Sequence, residues 1–157
     1  MTEPTLLVER IDPAVALVRF NRPERLNAFD GPSLERLHDQ LGTFAADPAL
    51  RAVILTGTGR AFSAGADLKA MQARTQAETP VRHAVAELQR YQDLTRRMVE
   101  SPVVFIAALN GIAVGIGAEL ALAADIRIGS PTAEFMLTGP KRGLFQANGV
   151  MRLLPRG

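Results

Sequence analysis

Residues 103–124 read VVFIAALNGIAVGIGAELALAA, and this one stretch admits two opposite folds. A run this long and this apolar is able to cross a bilayer as a helix. It also carries Asn110, three glycines and a single formal charge, Glu119. A carboxylate at bilayer depth costs roughly 2.5–3.5 kcal/mol on insertion scales. The run opens on β-branched and aromatic residues and then meets Asn110-Gly111, a turn dipeptide. The preferred reading is a buried strand, a turn and a buried helix inside a globular domain.

Working outward, the same alternation repeats. LLVERI (6–11) and VALVRF (15–20) read as short strands around a turn at Asp12-Pro13. Asp30 is placed to cap a helix, with Pro32 in its first turn and Leu34, Leu37, Leu41 and Phe44 at helical spacing. That helix should stop before Asp47-Pro48. RAVILTGTG (51–59) is a continuous apolar strand ending in glycine, and a loop is expected at 60–66. A second long helix is expected over 81–99, with Val81, Val85, Leu88, Tyr91, Thr95 and Met98 on its inner face. DIRIG (125–129) is a further strand. Strands alternating with helices and closing in glycine loops imply an α/β fold with buried parallel strands, as one domain over 1–157. Ligands in such folds gather at strand carboxyl ends, here the loops 57–67 and 110–118.

Composition narrows the classes of function. The chain has 157 residues, 47% of them hydrophobic and 22% charged, which is the balance of a water-soluble globular protein. Its net charge is +2, its bases are dispersed, and one tyrosine with no tryptophan leaves little for base stacking. Nucleic acid is therefore not the expected partner. The absence of cysteine excludes disulfides, cysteine-based zinc sites and thiol nucleophiles. MTEPTLLVERID has neither a basic n-region nor an apolar h-region, so a cytoplasmic location and no membrane attachment are the expectations.

The chemistry sits in the two glycine loops. GIGAEL (115–120) fails the dinucleotide fingerprint, because Leu120 stands at the third glycine, and the P-loop is excluded because no G-K-[ST] occurs. His38 and His83 are lone residues on amphipathic helices and read as helix-face histidines; no metal-ligand cluster is present. What survives is a helix N-terminus behind Gly115 and Gly117, whose first N–H groups lack intrahelical partners. RAFSAGADLKAM (60–71) ends a buried strand in small residues. Two N–H groups converging from two such loops would form an oxyanion hole, with Glu119 one turn away as an acid or base. Apolar surroundings would raise its pKa. On the residues alone, glycines that merely permit tight packing and a solvated Glu119 remain an equal alternative.

Three segments carry a resemblance: RPERLNAFD (22–30), GRAFSAGADLKAM (59–71) and NGIAVGIGAELALAADIRIGSPTAEF (110–135). Together they resemble the crotonase, or enoyl-CoA hydratase/isomerase, superfamily over nearly the whole chain. The resemblance implies a repeated ββα spiral core that binds acyl-CoA thioesters and stabilises an enolate in an oxyanion hole. The hole donors it implies are the N–H groups of Ala66 and Ile116, with Glu119 as the first catalytic glutamate. Arg25, Asn27 and Ala28 match the stretch lining the coenzyme A arm. Ala64, Asp67 and Leu68 lie in the adenine-side loop, where Asp67 is expected to hold the loop and Lys69 to meet a phosphate. No separate cofactor is implied, since coenzyme A belongs to the substrate, and a homo-oligomer, trimeric or hexameric, is the family assembly.

Two departures qualify the resemblance. Gly139 stands where hydratases carry a second glutamate, and Glu134, five residues away, is a poor substitute. FQANGVMRL (145–153) replaces a glycine-richer loop. Against the family pattern the core also reads as C-terminally truncated, without the helical trimerisation region expected after LLPRG. Three readings stay open: a hydratase or isomerase using Glu119, with weak hydration; a non-catalytic acyl-CoA-binding protein; or a structural subunit of a crotonase-like oligomer.

Overall fold

A capping box starts the first helix. Asp30 Oδ1 accepts from the Ser33 amide (3.0 Å), and Ser33 Oγ accepts from the Asp30 amide (2.9 Å). This satisfies two donors that a helix end otherwise leaves open. The helix, α1 (Gly31–Ala46), buries Leu34, Leu37, Leu41 and Phe44 and stops before Asp47, as the spacing predicts. A computed structural model describes residues 3–75, 80–139 and 148–154.

Before α1, β1 (Leu6–Asp12) and β2 (Val15–Phe20) form an antiparallel hairpin, closed by Asp12 Oδ1 accepting from the Ala14 amide. From β2 onward the sheet is parallel: β3 (Ala52–Gly57), β5 (Val104–Leu109) and β7 (Ile126–Gly129) complete the order β1-β2-β3-β5-β7. Period-two alternation puts Ala16, Val18 and Phe20 of β2, Val53 and Leu55 of β3, and Phe105 and Ala107 of β5 into the core.

Each long strand hands over to a short one in a second parallel sheet, ordered β4 (Ala61–Ser63), β6 (Ile112–Val114) and β8 (Phe135–Met136). Helices return the chain: α2 (Leu68–Thr75) and α3 (Pro80–Val99) after β4, and α4 (Ile116–Ala123) after β6. A short helix, α5 (Val150–Leu153), ends the described chain. The ββα unit thus repeats, and the expected spiral α/β core is the observed one. The segment at 103–124 is β5, a turn, β6 and α4, and no helix among the described residues is long and apolar enough to cross a membrane.

Two asparagine side chains rivet the strand-end turns. Asn110 accepts from the Gly57 amide and donates to Gly59 and Ala61 carbonyls (3.1, 2.8 and 3.1 Å). Asn27 accepts from the Arg22 amide and donates to the Thr58 and Ala61 carbonyls (2.9, 2.9 and 2.8 Å). Both converge on Ala61, so the β3–β4 turn is fixed from two sides.

Three expectations need correction. The stretch 60–66 is not all loop, since Ala61–Ser63 is β4, and β6 and β8 were not foreseen. The inner face of α3 holds only toward its C-terminal half: Leu94, Thr95 and Met98 are buried and Tyr91 packs on the core, but Val85 and Leu88 are exposed. Helical spacing aligns a stripe without saying how far the neighbouring surface extends beneath it. The Val81 and His83 side chains lie outside the described residues. Finally, β7 is an edge strand with all four residues exposed, not a buried one.

The cap yields a direct check. Asp30→Ala is expected to lower the unfolding free energy by about 1 kcal/mol in urea denaturation. Asp30→Asn, which keeps the capping oxygen, should retain most of that stability.

Candidate active site

The two glycine loops meet at Gly65. Its φ is +87°, and a Cβ built there would lie 2.6 Å from the Val114 carbonyl oxygen and 3.5 Å from the Ile116 nitrogen. A side chain at this position is thus excluded twice, by conformation and by space. The loop after β4 therefore rests directly on the β6–α4 turn.

The backbone on either side of this contact fixes where the neighbouring amides point. The Phe29 amide donates to the Gly65 carbonyl (2.7 Å), and the Asp67 amide donates to the Phe29 carbonyl (2.8 Å), a one-residue parallel bridge between Phe29 and Ala66. In a parallel pair, the residue bracketed this way turns its own N–H and C=O to the other side. The Ala66 amide accordingly faces away from Phe29. Ile116 is the first residue of α4, and its cap, Gly115, makes no side-chain capping bond. Its amide belongs to the open donors of the helix start. Behind it, Gly117 packs against β4 so closely that a Cβ would come within 2.7 Å of Ser63 Cβ.

The 22–30 stretch lines the same seam. The Ala64 amide donates to the Leu26 carbonyl (2.8 Å), and Ser63 Oγ donates to the Asn27 carbonyl (2.8 Å). Phe29 and Phe62 pack edge-on against Phe20 from the two loops, with ring centroids 5.0 and 5.3 Å away. Arg25, Leu68 and Lys69 are exposed along the seam, Ala64 and Ala66 are half-buried, and Ala28 is buried. Asn27 is only 1% exposed, with its amide committed to the backbone, so its side chain is structural.

Asp67 also holds the structure. Its Oδ1 accepts from the Lys69 and Ala70 amides (3.2 and 3.3 Å), capping α2, and its Oδ2 meets Arg22 at 3.0 Å. Burial pushes its pKa up, but the Ala70 amide, the Arg22 guanidinium and the Lys69 amide outweigh it, leaving the carboxyl below the usual range. Arg22 is the residue that sequence reasoning missed here. It also donates to the Ala28 carbonyl (2.6 Å) and pairs with Asp30 at 3.3 Å, tying cap, seam and α2 together. Its partners lie up to 45 residues away, so no local pattern betrays it.

Glu119 stands one turn into α4, and every residue of that helix is buried. The carboxylate is 6% exposed and accepts from Asn148 Nδ2 at 2.5 Å. Burial raises its pKa and the Asn148 bond opposes the rise, with burial the stronger. The solvated alternative for Glu119 is thus set aside. Asn148 is the second residue not foreseen. Gly139 is half-buried, three residues beyond Met136, whose carbonyl accepts from the Gly115 amide (3.0 Å); residues 140–147 lie outside the described ones. Glu134 is exposed. Among the described residues, no group of three or more potential metal ligands clusters. A cavity of about 340 Å³ lies elsewhere, lined by residues of α1 and α3 such as His38 and Arg90, and holds none of these groups. Chemistry rather than volume therefore points to the seam.

The family model described as enoyl-CoA hydratase/isomerase matches residues 10–157, and the chain belongs to that family. It is 39% identical to the probable enoyl-CoA hydratase EchA12 of Mycobacterium tuberculosis over 99% of this chain and 55% of that protein. It is 36% identical to the 1,2-epoxyphenylacetyl-CoA isomerase of Escherichia coli K12, over 96% of this chain and 57% of that one. Among solved structures, a putative enoyl-CoA hydratase from Streptomyces coelicolor superposes with a TM-score of 0.89 at 36% identity, covering 98% of this chain and 55% of the other. The chain therefore spans about half the length of the relatives it matches.

The raised pKa of Glu119 carries a stability consequence. The folded state binds its proton more tightly than the unfolded state, so stability is fullest below the unfolded pKa and falls as pH rises through the folded value. Glu119→Gln is expected to be more stable than the parent at neutral pH. The difference should shrink toward pH 4 when both are unfolded in urea across that range.

Proposed function

We propose that this chain binds acyl-CoA thioesters and moves a proton at the carbon next to the thioester carbonyl. The carbonyl oxygen sits between the amides of Ala66 and Ile116, which take up the negative charge as the enolate forms. Glu119 removes the proton and returns it to the same carbon or, where a β,γ double bond extends the enolate into a dienolate, to the γ-carbon. Arg25, Ala28, Ala64, Leu68 and Lys69 line the coenzyme A arm, with Lys69 toward a phosphate. Asn27 and Asp67 shape that arm from behind. The observation that supports this reading best is the contact of Gly65 with Val114 and Ile116, one turn from a buried carboxylate with a raised pKa.

Only one carboxylate enters this scheme. Adding water across a double bond asks for one group to activate water and another to protonate carbon, and Gly139 offers no side chain for the second task. Isomerisation and proton exchange need one. We therefore assign the site to hydratase/isomerase chemistry with weak hydration. The coenzyme is carried by the substrate, and copies of the chain are expected to associate in the cytoplasm as a homo-oligomer.

Proton exchange separates this reading from binding without turnover. In D₂O, a saturated acyl-CoA should lose its α-proton signals in NMR when the protein is added. Glu119→Gln should slow that exchange by roughly 10²- to 10⁴-fold while leaving calorimetric binding in place. Binding without exchange favours the non-catalytic reading, and the absence of thioester binding defeats both. Hydration of a short enoyl-CoA, followed by its conjugated absorbance, should be slow beside exchange.

A further inference from the structure

Among the described residues, the hydrogen bond of the Asn148 side chain goes to Glu119. Its Nδ2 donates to Glu119 Oε2, and its Oδ1 is buried with no hydrogen-bond partner, although the residue is only 6% exposed. An asparagine that served to tie down its own loop would spend its amide on backbone groups, as Asn27 and Asn110 do. This one leaves an acceptor unmet in order to aim a donor at the carboxylate. The turn that carries it supports the same aim. Gly149 follows at φ +81°, its carbonyl accepts from Arg152 and Leu153, and α5 packs on α4.

We propose that Asn148 is a positioning residue for Glu119: it fixes the orientation of the carboxylate and favours its ionised, proton-accepting form. This rests on the proposed proton-transfer role of Glu119. An ionised acid accepts from N–H, whereas a protonated one needs an acceptor, so the amide as placed selects the base. It accepts no proton itself.

Among the described residues, the elements packed most closely on α4 are α3, α5, β4 and β6. Neither β4 nor β6 carries a titratable residue. On the packed half of α3, Arg96 and Arg97 are exposed and Asp93 pairs with Arg96 at 2.6 Å; on α5, Arg152 is exposed. Arg127 of β7 is engaged with the Ala124 carbonyl (2.7 Å) at the far end of α4.

A carboxyl titration tests this without any substrate, so its outcome stands apart from that of the thioester reading. Protein labelled with ¹³C at glutamate Cδ is titrated by NMR, the Glu119 signal being the one lost in Glu119→Gln. The Asn148→Leu variant should raise the midpoint of Glu119 by about one pH unit, since a bond favouring the charged form is gone. In the parent protein, the Asn148 side-chain N–H signals should shift with the same midpoint as Glu119 Cδ, a measurement that needs no variant to fold. Where thioester exchange is observed, its acid limb should move with the variant's midpoint while KM stays within twofold. A Glu119 midpoint unmoved in folded Asn148→Leu, or Asn148 N–H signals indifferent to the Glu119 titration, overturns the proposal.

Discussion

Everything near the candidate site depends on one approach of two backbones, Gly65 against Val114 and Ile116. Such an approach tolerates no side chain, and the molecule surrounds it with constraints that do not give. Below it, Phe20, Phe29 and Phe62 pack edge to face, so neither the 22–30 stretch nor the β4 loop can slide. Beside it, Asn27 and Asn110 converge on the Ala61 carbonyl and set the turn from which the loop departs. Ahead of it, Gly117 lets α4 press onto Ser63. Under the proposed reading, rigid supports of this kind would hold the Ala66 and Ile116 amides in place before a ligand arrives, and preorganised donors stabilise developing charge most effectively.

Charge is organised in the same way. Arg22, Asp30 and Asp67 form a half-buried trio in which the arginine meets both acids and a carbonyl. Each acid already serves as a helix cap, Asp30 for α1 and Asp67 for α2. The ion pairs add orientation more than net stability, since pairs near the surface contribute little energy by themselves. The consequence is geometric: the starts of both helices and the 22–30 stretch are tied into one piece.

Much of this was legible in the residues, and the limits have physical causes. The capping signal at Asp30, the apolar strands and the Asn110-Gly111 turn are local, so their readings match the observed elements closely. The seam was legible as two glycine loops because a glycine advertises a close approach. Strands β4 and β6 were not, because three residues offer no period and their partners are distant in sequence. Val85 and Leu88 misled because periodicity records alignment along a helix and is silent about where the supporting surface stops. Ile126 and Ile128 misled for a related reason: an apolar strand at a sheet edge reads like one at its centre. Arg22 and Asn148 escaped because the carboxylates of Asp67 and Glu119 that they meet lie 45 and 29 residues away, beyond the reach of any local pattern.

Placing Glu119 within a wholly buried helix has a cost that bears on the chemistry. Desolvation favours the neutral acid, while the amide of Asn148 favours the carboxylate, and the two pull the same group in opposite directions. A base held by strong ion pairs would sit far below neutrality and have little affinity for a carbon-bound proton. A buried acid with no donor would stay protonated and could not begin the reaction. A neutral donor such as the Asn148 amide lies between these limits. It offsets part of the burial without cancelling it, which leaves the carboxyl nearer the working range of a general base than an exposed glutamate would be. Under the proposed reading, that intermediate setting is what one carboxylate needs if it is to take a proton from carbon and then give it back.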